Sequence, residues 1–423
     1  PELKLPDLSD AGREEVRRRY DAEVRYTDDE VAQLVEGLRA AYPNTIFVVL
    51  SDHGEELFEH KGMGHGTTLY KEQLRVPFII AGPGVAPRTI ERPVNIVDTL
   101  PTLAGILGLP ANPDWQGRDL LAPDRNADEP LFARTMASWP EQGIDLEGVV
   151  REGYKLIRDR VDGAIALHDL AEDPGEKHDI ASEEPQRTAA LTDLLDRHRE
   201  ENVSLRPDSY AEKEVELGAE AKEELAALGY LGMDVEPESQ EEEDQPNVLL
   251  IVVDTLRGDR VEAERNGVPV MPWTRAFADE SWYFTHAAAQ ATWTKPSVVS
   301  ILTALYPQTH KTEFGLQRPF VDGQDMQIEV LPQPLQTAAE FFRQAGYATG
   351  AVQTNKHLAA EYGFDAGFDN YQTLLWSKAG PVTDAAIQAV DEFQEPFFMY
   401  VHYFDPHATY DPPEKYRTVF GEP

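Results

Sequence analysis

The sequence predicts an α/β protein: a mostly parallel central sheet sandwiched by helices, with a small antiparallel subdomain appended to it. Three observations predict this. Two apolar runs, Thr45-Ile46-Phe47-Val48-Val49-Leu50 and Val248-Leu249-Leu250-Ile251-Val252-Val253, read as buried strands, and each ends in an acidic cluster, Ser51-Asp52-His53-Gly54 and Asp254-Thr255-Leu256-Arg257. Beyond residue 246, strand and helix patterns alternate, as they do where helices cover a parallel sheet. Between about Pro130 and Leu170 the pattern changes to short alternating runs, Leu131-Phe132-Ala133-Arg134 and Tyr154-Lys155-Leu156-Ile157-Arg158, which predict an antiparallel sheet. In open α/β sheets the ligand crevice lies beyond the carboxyl ends of the strands, so carboxylates there are placed to hold a metal or a substrate.

Taken in order, Ser9 to Ala41 carries Val16, Tyr20, Val24, Val31, Leu34 and Leu38 at helical spacing, with a break expected near Tyr26-Thr27. The strand at Thr45 to Leu50 leads into a Gly- and His-rich loop, Glu59 to Thr68, and a second strand, Phe78 to Ala81, closes at Gly82-Pro83-Gly84. A helix is predicted from Asn95 to Leu107, and two acidic helices at about Glu184 to Glu201 and Ala211 to Leu228. Gly232 to Pro246 has no apolar periodicity and dense like charge, so it reads as a flexible linker. The later elements are Val248 to Asp254, Pro272 to Asp279, Ser297 to Leu305, Pro334 to Ala345, Tyr347 to Gln353, Thr383 to Phe393 and Phe397 to Phe404. The chain thus divides into one half of the main α/β domain at 1–129, the small subdomain at 130–231, the linker at 232–246 and the other half of the same α/β domain at 247–423.

With 76 acidic against 38 basic residues, the formal charge of -38 repels nucleic acid and anionic membranes. The excess of acid also suits solubility at high salt. The absence of cysteine excludes disulfides, zinc–thiolate sites and Cys nucleophiles. No apolar run approaches the roughly 20 residues that span a bilayer, and Pro1-Glu2-Leu3-Lys4 lacks a signal-peptide pattern.

Six segments carry a resemblance: Asn247 to Arg257, Trp293-Thr294-Lys295-Pro296-Ser297, Leu302-Thr303-Ala304, Asp405-Pro406-His407, Ser51-Asp52-His53-Gly54-Glu55-Glu56 and Gly64-His65-Gly66. Together they resemble the sulfatase branch of the alkaline phosphatase superfamily. The order differs from that family, in which the segment like Asn247 to Arg257 opens the domain and one like Leu225-Ala226-Ala227-Leu228-Gly229-Tyr230-Leu231 closes it. Here the closing part comes first. That order implies a circularly permuted arrangement joined through the acidic linker; the other arrangement is an excerpt of two tandem domains. Under permutation a missing signal peptide says nothing about export, and the family leans extracytoplasmic.

The resemblance implies a divalent metal, Zn, Mn or Ca, as one or two ions, bound by Asp254, Asp52 and His53 with Thr294 at the nucleophile position touching the same ion. A hydroxyl is a poor nucleophile at neutral pH, and metal coordination activates it. Thr294 precedes Lys295-Pro296-Ser297 and a helical run, so an anion there would meet a helix N-terminus; the plain alternative is an N-cap threonine. His65 matches a place where many sulfatases carry a substrate-binding Lys or His, and His407 matches a family His near the leaving group. Asp405, His407 and His65 could hold a second ion, or His65 and His407 could bind the anion directly with one metal present. Lys295 is placed to neutralise a nonbridging oxygen, or is a solvated lysine on the first turn. His60, His310 and His402 are read as structural or surface histidines.

Two residues depart from ordinary sulfatases, which carry Cys or Ser, oxidised to formylglycine, at the nucleophile position with Arg four residues later. This chain has Thr294 and Val298 there, and Thr255 where a second Asp ligand is common. Thr cannot give the aldehyde. The resemblance therefore shifts to the Thr-nucleophile phosphodiesterases, phosphonate hydrolases and phosphoethanolamine transferases. A small anionic ester is the expected substrate, cleaved through a phospho-Thr294 intermediate that water resolves. Sulfate ester hydrolysis without formylglycine is the alternative within the class, a degenerate metal-binding domain the alternative outside it, and transfer is disfavoured by the lack of a membrane segment. Specificity is assigned to the loops Glu313 to Pro334 and Ala111 to Asp128.

Overall fold

A computed structural model describes residues 8–122, 129–136, 143–206, 245–313, 329–332 and 334–421. Its principal strands are β1 (Thr45–Ser51), β2 (Phe78–Ala81), β3 (Arg88–Ile90), β4 (Leu131–Met136), β5 (Asp145–Arg151), β6 (Tyr154–Asp159), β7 (Ile165–Asp169), β8 (Asn247–Val253), β9 (Trp282–Phe284), β10 (Ala348–Gln353), β11 (Asn370–Thr373) and β12 (Phe397–Tyr403). The longer helices are α1 (Asp10–Ala41), α2 (Thr99–Leu107), α3 (Pro185–Ser204), α4 (Pro272–Asp279), α5 (Thr294–Thr303), α6 (Ala338–Gln344) and α7 (Ala379–Val390).

Eight strands form one sheet in the order β11-β10-β12-β8-β1-β2-β9-β3. The first five are parallel; β2 runs antiparallel to β1, and β9 antiparallel to β2. Strand β8 pairs with β1 from Thr45↔Asn247 to Ser51↔Val253, so two segments 196 or more residues apart in sequence lie side by side at the centre. Both are buried along their whole length, which is why they read as continuous apolar runs rather than alternating ones. Even-numbered side chains, such as Val48, Leu50, Leu250, Val252 and Tyr400, pack under α2, α5 and α6. Odd-numbered ones, such as Phe47, Val49, Leu249, Ile251 and Val401, pack under α1, α4 and α7.

Helix α1 is unbroken through Tyr26-Thr27, contrary to the sequence expectation. The Thr27 hydroxyl donates to the Glu23 carbonyl one turn back, and the Tyr26 hydroxyl accepts from Gly380 N of α7, so both residues are satisfied inside a helix. Its buried acids are spent on neighbours. Asp28 accepts from the backbone N–H groups of Trp273 and Thr274 at the start of α4, and Asp21 pairs with Arg260 and Arg265. The last described residues return to the same helix: Tyr416 donates to Asp29 at 2.8 Å, and Arg18 donates to the Arg417 carbonyl.

The appended sheet has the order β7-β6-β5-β4, antiparallel throughout, with α3 laid on it over Phe132, Val149, Leu156, Leu167, Leu191 and Leu195. The first expected acidic helix is α3; the expected helix at Ala211 to Leu228 and the linker, apart from Gln245 and Pro246, lie outside the described residues, as does most of the loop from Glu313 to Pro334. No helix among the described residues is long and apolar enough to cross a membrane.

His198 of α3 stacks on Phe132 at 3.6 Å with an interplanar angle of 4°. Burial pushes its imidazole down to about 3. The unfolded chain therefore binds a proton that the native state refuses: stability is full above the ordinary imidazole value and falls as pH drops from there towards about 3. At pH 5 the loss from this residue is about 2 kcal/mol. Urea midpoints at pH 7.5 and pH 5 measure it, and His198→Gln is expected to flatten the difference; an unchanged difference would place the acid sensitivity elsewhere.

Candidate metal and nucleophile site

Parallel strands bring their carboxyl ends to one edge, and the central three, β12, β8 and β1, end in the residues that matter. The register pairs Leu50 with Val252 and Val252 with His402, so side-chain alternation carries Asp52, Asp254 and His402 onto the same face. All three are buried, and one oxygen or nitrogen from each lies within 4.8 Å of the others. His53, next after Asp52, places Nε2 at 3.3 Å from Asp254 Oδ1 and 3.5 Å from Asp52 Oδ2.

Each residue of this cluster keeps one polar atom that the protein does not satisfy. Asp52 Oδ2, Asp254 Oδ1, His53 Nε2 and His402 Nε2 are buried and make no aligned hydrogen bond. Sealed carboxylates and imidazoles left this way cost several kcal/mol unless a cation joins them. Protonation behaviour points the same way. Burial pushes the Asp52 carboxyl up to about 7, whereas at Asp254 the neighbouring imidazoles overcome burial and hold the carboxyl far below the usual range. Against its own burial, His53 is raised to about 9 by Asp52 and Asp254. Two carboxylates and two imidazoles are a donor set for a divalent ion such as Zn or Mn.

Local structure holds these groups still. Gly54 must lack a side chain, because a Cβ there would lie 2.1 Å from the Glu72 carbonyl oxygen; its N–H bonds to Gln73 O at 2.9 Å. After Asp254 the chain turns through Thr255 at φ 57°, a left-handed conformation unusual for a β-branched residue. Tyr20 of α1 pins that turn: its hydroxyl donates to Thr255 O at 2.8 Å and accepts from Arg257 N at 3.1 Å.

Thr294 is the first residue of α5 and is 3% exposed. Its Oγ1 lies 3.5 Å from Asp254 Oδ2, and Asn355 Nδ2 donates to both, at 3.2 Å and 3.0 Å. The helix start is tied to the metal edge by Ser297, whose hydroxyl donates to the Asp52 carbonyl. Val298, at the family's arginine position, is buried in the core under the sheet.

Histidines continue outward from the cluster. His65 lies 4.5 Å from the His53 ring centroid and 4.9 Å from that of His407. Its Nδ1 bonds to Glu55 Oε2 at 2.7 Å, and Glu55, itself buried, accepts from Tyr410 Oη at 2.7 Å through its other oxygen. His407 Nδ1 is held by the Ala408 carbonyl at 2.8 Å.

Three sequence readings need correction. Asp405 does not join His65 and His407: one of its oxygens accepts from Lys378 at 3.0 Å and the other from Ala379 N at 2.8 Å, at the start of α7. Lys295 is neither solvated nor turned to an anion, for its fully buried ammonium donates to the Glu329 carbonyl at 2.5 Å and faces the Glu329 carboxylate. His402 joins Asp52 and Asp254 in the group that could hold a metal ion. Its signal was present in the alternation Phe398, Tyr400, His402, which continues the core face of a strand into a polar residue at the carboxyl edge. Asn355, two residues beyond the end of β10, was also missed. His60 bonds to Glu72 and to the Glu176 carbonyl, and His310 is buried against Ser300 and Thr312.

At the carboxyl edge of a helix-covered parallel sheet the chain thus gathers a group that could hold a cation, with a hydroxyl at a helix N-terminus beside it. The chain belongs to the sulfatase family, whose model matches residues 5–109 and 246–422 and passes over the appended sheet. It is 27% identical over 220 residues to a delta 4,5-hexuronate-2-O-sulfatase of Bacteroides thetaiotaomicron, covering 46% of this chain and 45% of the relative. With the choline-sulfatase of Rhizobium meliloti it shares 30% identity over 197 residues, 45% of this chain and 38% of the relative. The chain thus spans less than half the length of either. A phosphonate monoester hydrolase from Silicibacter pomeroyi aligns in structure with a TM-score of 0.36 at 20% identity, covering 43% of this chain and 39% of that one.

Proposed function

We propose that this chain is a metal-dependent ester hydrolase that uses Thr294 as nucleophile on phosphodiesters or phosphonate monoesters. The observation that carries this reading is the placement of Thr294 Oγ1 beside Asp254 and Asn355 at the first residue of α5. Asp52, His53, Asp254 and His402 would hold the ion, which when bound supplies positive charge to the hydroxyl and to the ester oxygens. Asn355 fixes the Thr294 hydroxyl through one N–H, and the positive end of the α5 dipole favours an anion. Thr294 Oγ gives its proton to the adjacent Asp254 carboxylate and forms the new bond to phosphorus as the bond to the leaving-group oxygen breaks, and that oxygen takes a proton from His407. Water then cleaves the phosphothreonine. His65, held at Nδ1 by Glu55, presents its other face to the anion.

Sulfate ester hydrolysis without formylglycine is the second reading, favoured by the sulfatases among the relatives. The permuted order is part of the proposal. It is supported by the pairing of β8 with β1 in one sheet and by a family match in two blocks, the later of which contains Asp254 and Thr294.

Metal-loaded protein assayed on bis-nitrophenyl phosphate, nitrophenyl phenylphosphonate, nitrophenyl phosphate and nitrophenyl sulfate separates the readings. Preferred turnover of the first two, with a phosphate or phosphonate adduct on the Thr294 peptide after acid quench, is expected. Turnover confined to the sulfate would favour the second reading, and none with Zn, Mn or Ca would leave a metal-binding domain without catalysis.

A further inference from the structure

Asp405 to Asp411 is the loop that carries His407, and both of its ends are tied to one carboxylate–ammonium pair, Glu23 of α1 and Lys378 just before α7. Lys378 Nζ donates to Asp405 Oδ1 at 3.0 Å and to Glu23 Oε1 at 2.7 Å, and the same Glu23 oxygen accepts from Asp411 N at 2.7 Å. Within the loop, Tyr410 Oη donates to Glu55, the carboxylate that holds His65. The His407 ring bonds to its own loop, at the Ala408 carbonyl, and stacks on Phe404 at 4.4 Å, so its place is set by where the loop is tied. A carbonyl only accepts, so Nδ1 carries a hydrogen there and Nε2 is the nitrogen that can hand a proton outward. Contacts lead from this ring to the nucleophile: His407 to His65, His65 to His53, His53 to Asp254 and Asp254 to Thr294.

The tie is costly. Glu23 and Asp405 are both buried, Glu23 Oε2 has no partner, and one half-exposed ammonium serves the two carboxylates. Burial and the neighbouring Asp405 charge push the Glu23 carboxyl up to about 7. Apolar side chains of the same volume would pack α1 against α7 as well or better, but they could not hold the backbone at Asp411 by a directed hydrogen bond. We propose that Glu23 and Lys378 are positioning residues for the leaving-group proton: their bonds to Asp405 and Asp411 set where His407 stands. This rests on the hydrolase reading above.

Two esters that differ only in the leaving group test the assignment in the metal-loaded full chain. Nitrophenolate departs without a proton, so nitrophenyl phenylphosphonate reports the site apart from its acid, whereas phenyl phenylphosphonate needs the proton. Lys378→Met is expected to lower turnover of the phenyl ester about tenfold and that of the nitrophenyl ester less than about twofold. Lys378→Arg, which still bridges both carboxylates, should keep most of the phenyl-ester rate. Glu23→Gln keeps an acceptor for Asp411 N and loses the charge that Lys378 answers, so it should show the same selectivity to a lesser degree. In a His407→Gln background, Lys378→Met should change both esters equally, because the group it positions is gone. Thermal midpoints identify the folded variants. Equal losses on the two esters in folded Lys378→Met and Glu23→Gln, no loss in either, or a selective loss that persists without His407, would overturn the positioning role and leave the hydrolase reading standing. A wild type that turns over neither ester would overturn both.

Discussion

Thr294→Ala is expected to lower turnover of the preferred ester by at least about a thousandfold, because under the proposed mechanism it removes the atom that forms the covalent bond rather than one that assists it. Folding should be nearly untouched. The hydroxyl makes one hydrogen bond with Asn355 and a long contact with Asp254, so its loss costs about 1 kcal/mol in stability. Thr294→Ser is the informative partner, since it keeps the oxygen and loses only a methyl group; activity within about tenfold of wild type is expected. Kinetics on both variants, with thermal midpoints as the folding control, decide the matter. If Thr294→Ala keeps full activity, the nucleophile lies elsewhere and water attacks directly.

The central sheet was legible because β1 and β8 are buried on both faces and so advertise themselves as unbroken apolar runs. Short strands such as β3 and β9 were not, since three residues carry no periodicity. At the site, Asp52, His53, Asp254 and Thr294 stood out because each follows or precedes a strong element. His402 was hidden inside β12, where only the register with β8 shows that it shares the face of Asp254. Asp405 misled for the opposite reason. It lies beside His407 in sequence, but Pro406 separates them and the carboxylate caps α7 instead. The charge of Lys295 invited a catalytic role, yet burial demanded a partner and Glu329 supplies it. Sequence shows which groups are chargeable; which of them are already neutralised is a property of packing.

In the proposed site Asp254 is shared between the metal and the nucleophile, so Asp254→Asn should separate binding from folding. The amide has the same shape and keeps one acceptor, but it removes the charge that balances the ion and leaves Asp52 as the remaining carboxylate of the cluster. In the wild type, Zn or Mn at about a thousand times its dissociation constant should stabilise the native state by about 4 kcal/mol, read as a thermal midpoint several degrees higher than in chelator. Asp254→Asn is expected to lose most of that rise together with about a thousandfold or more of turnover. The comparison is made within each variant, with and without chelator, so that any change in the metal-free protein cancels. A rise that persists in Asp254→Asn would mean that the ion is held elsewhere, and the orphaned atoms of Asp52, His53 and His402 would then need another explanation. Loss of the rise with turnover intact would instead make the metal structural and detach it from Thr294.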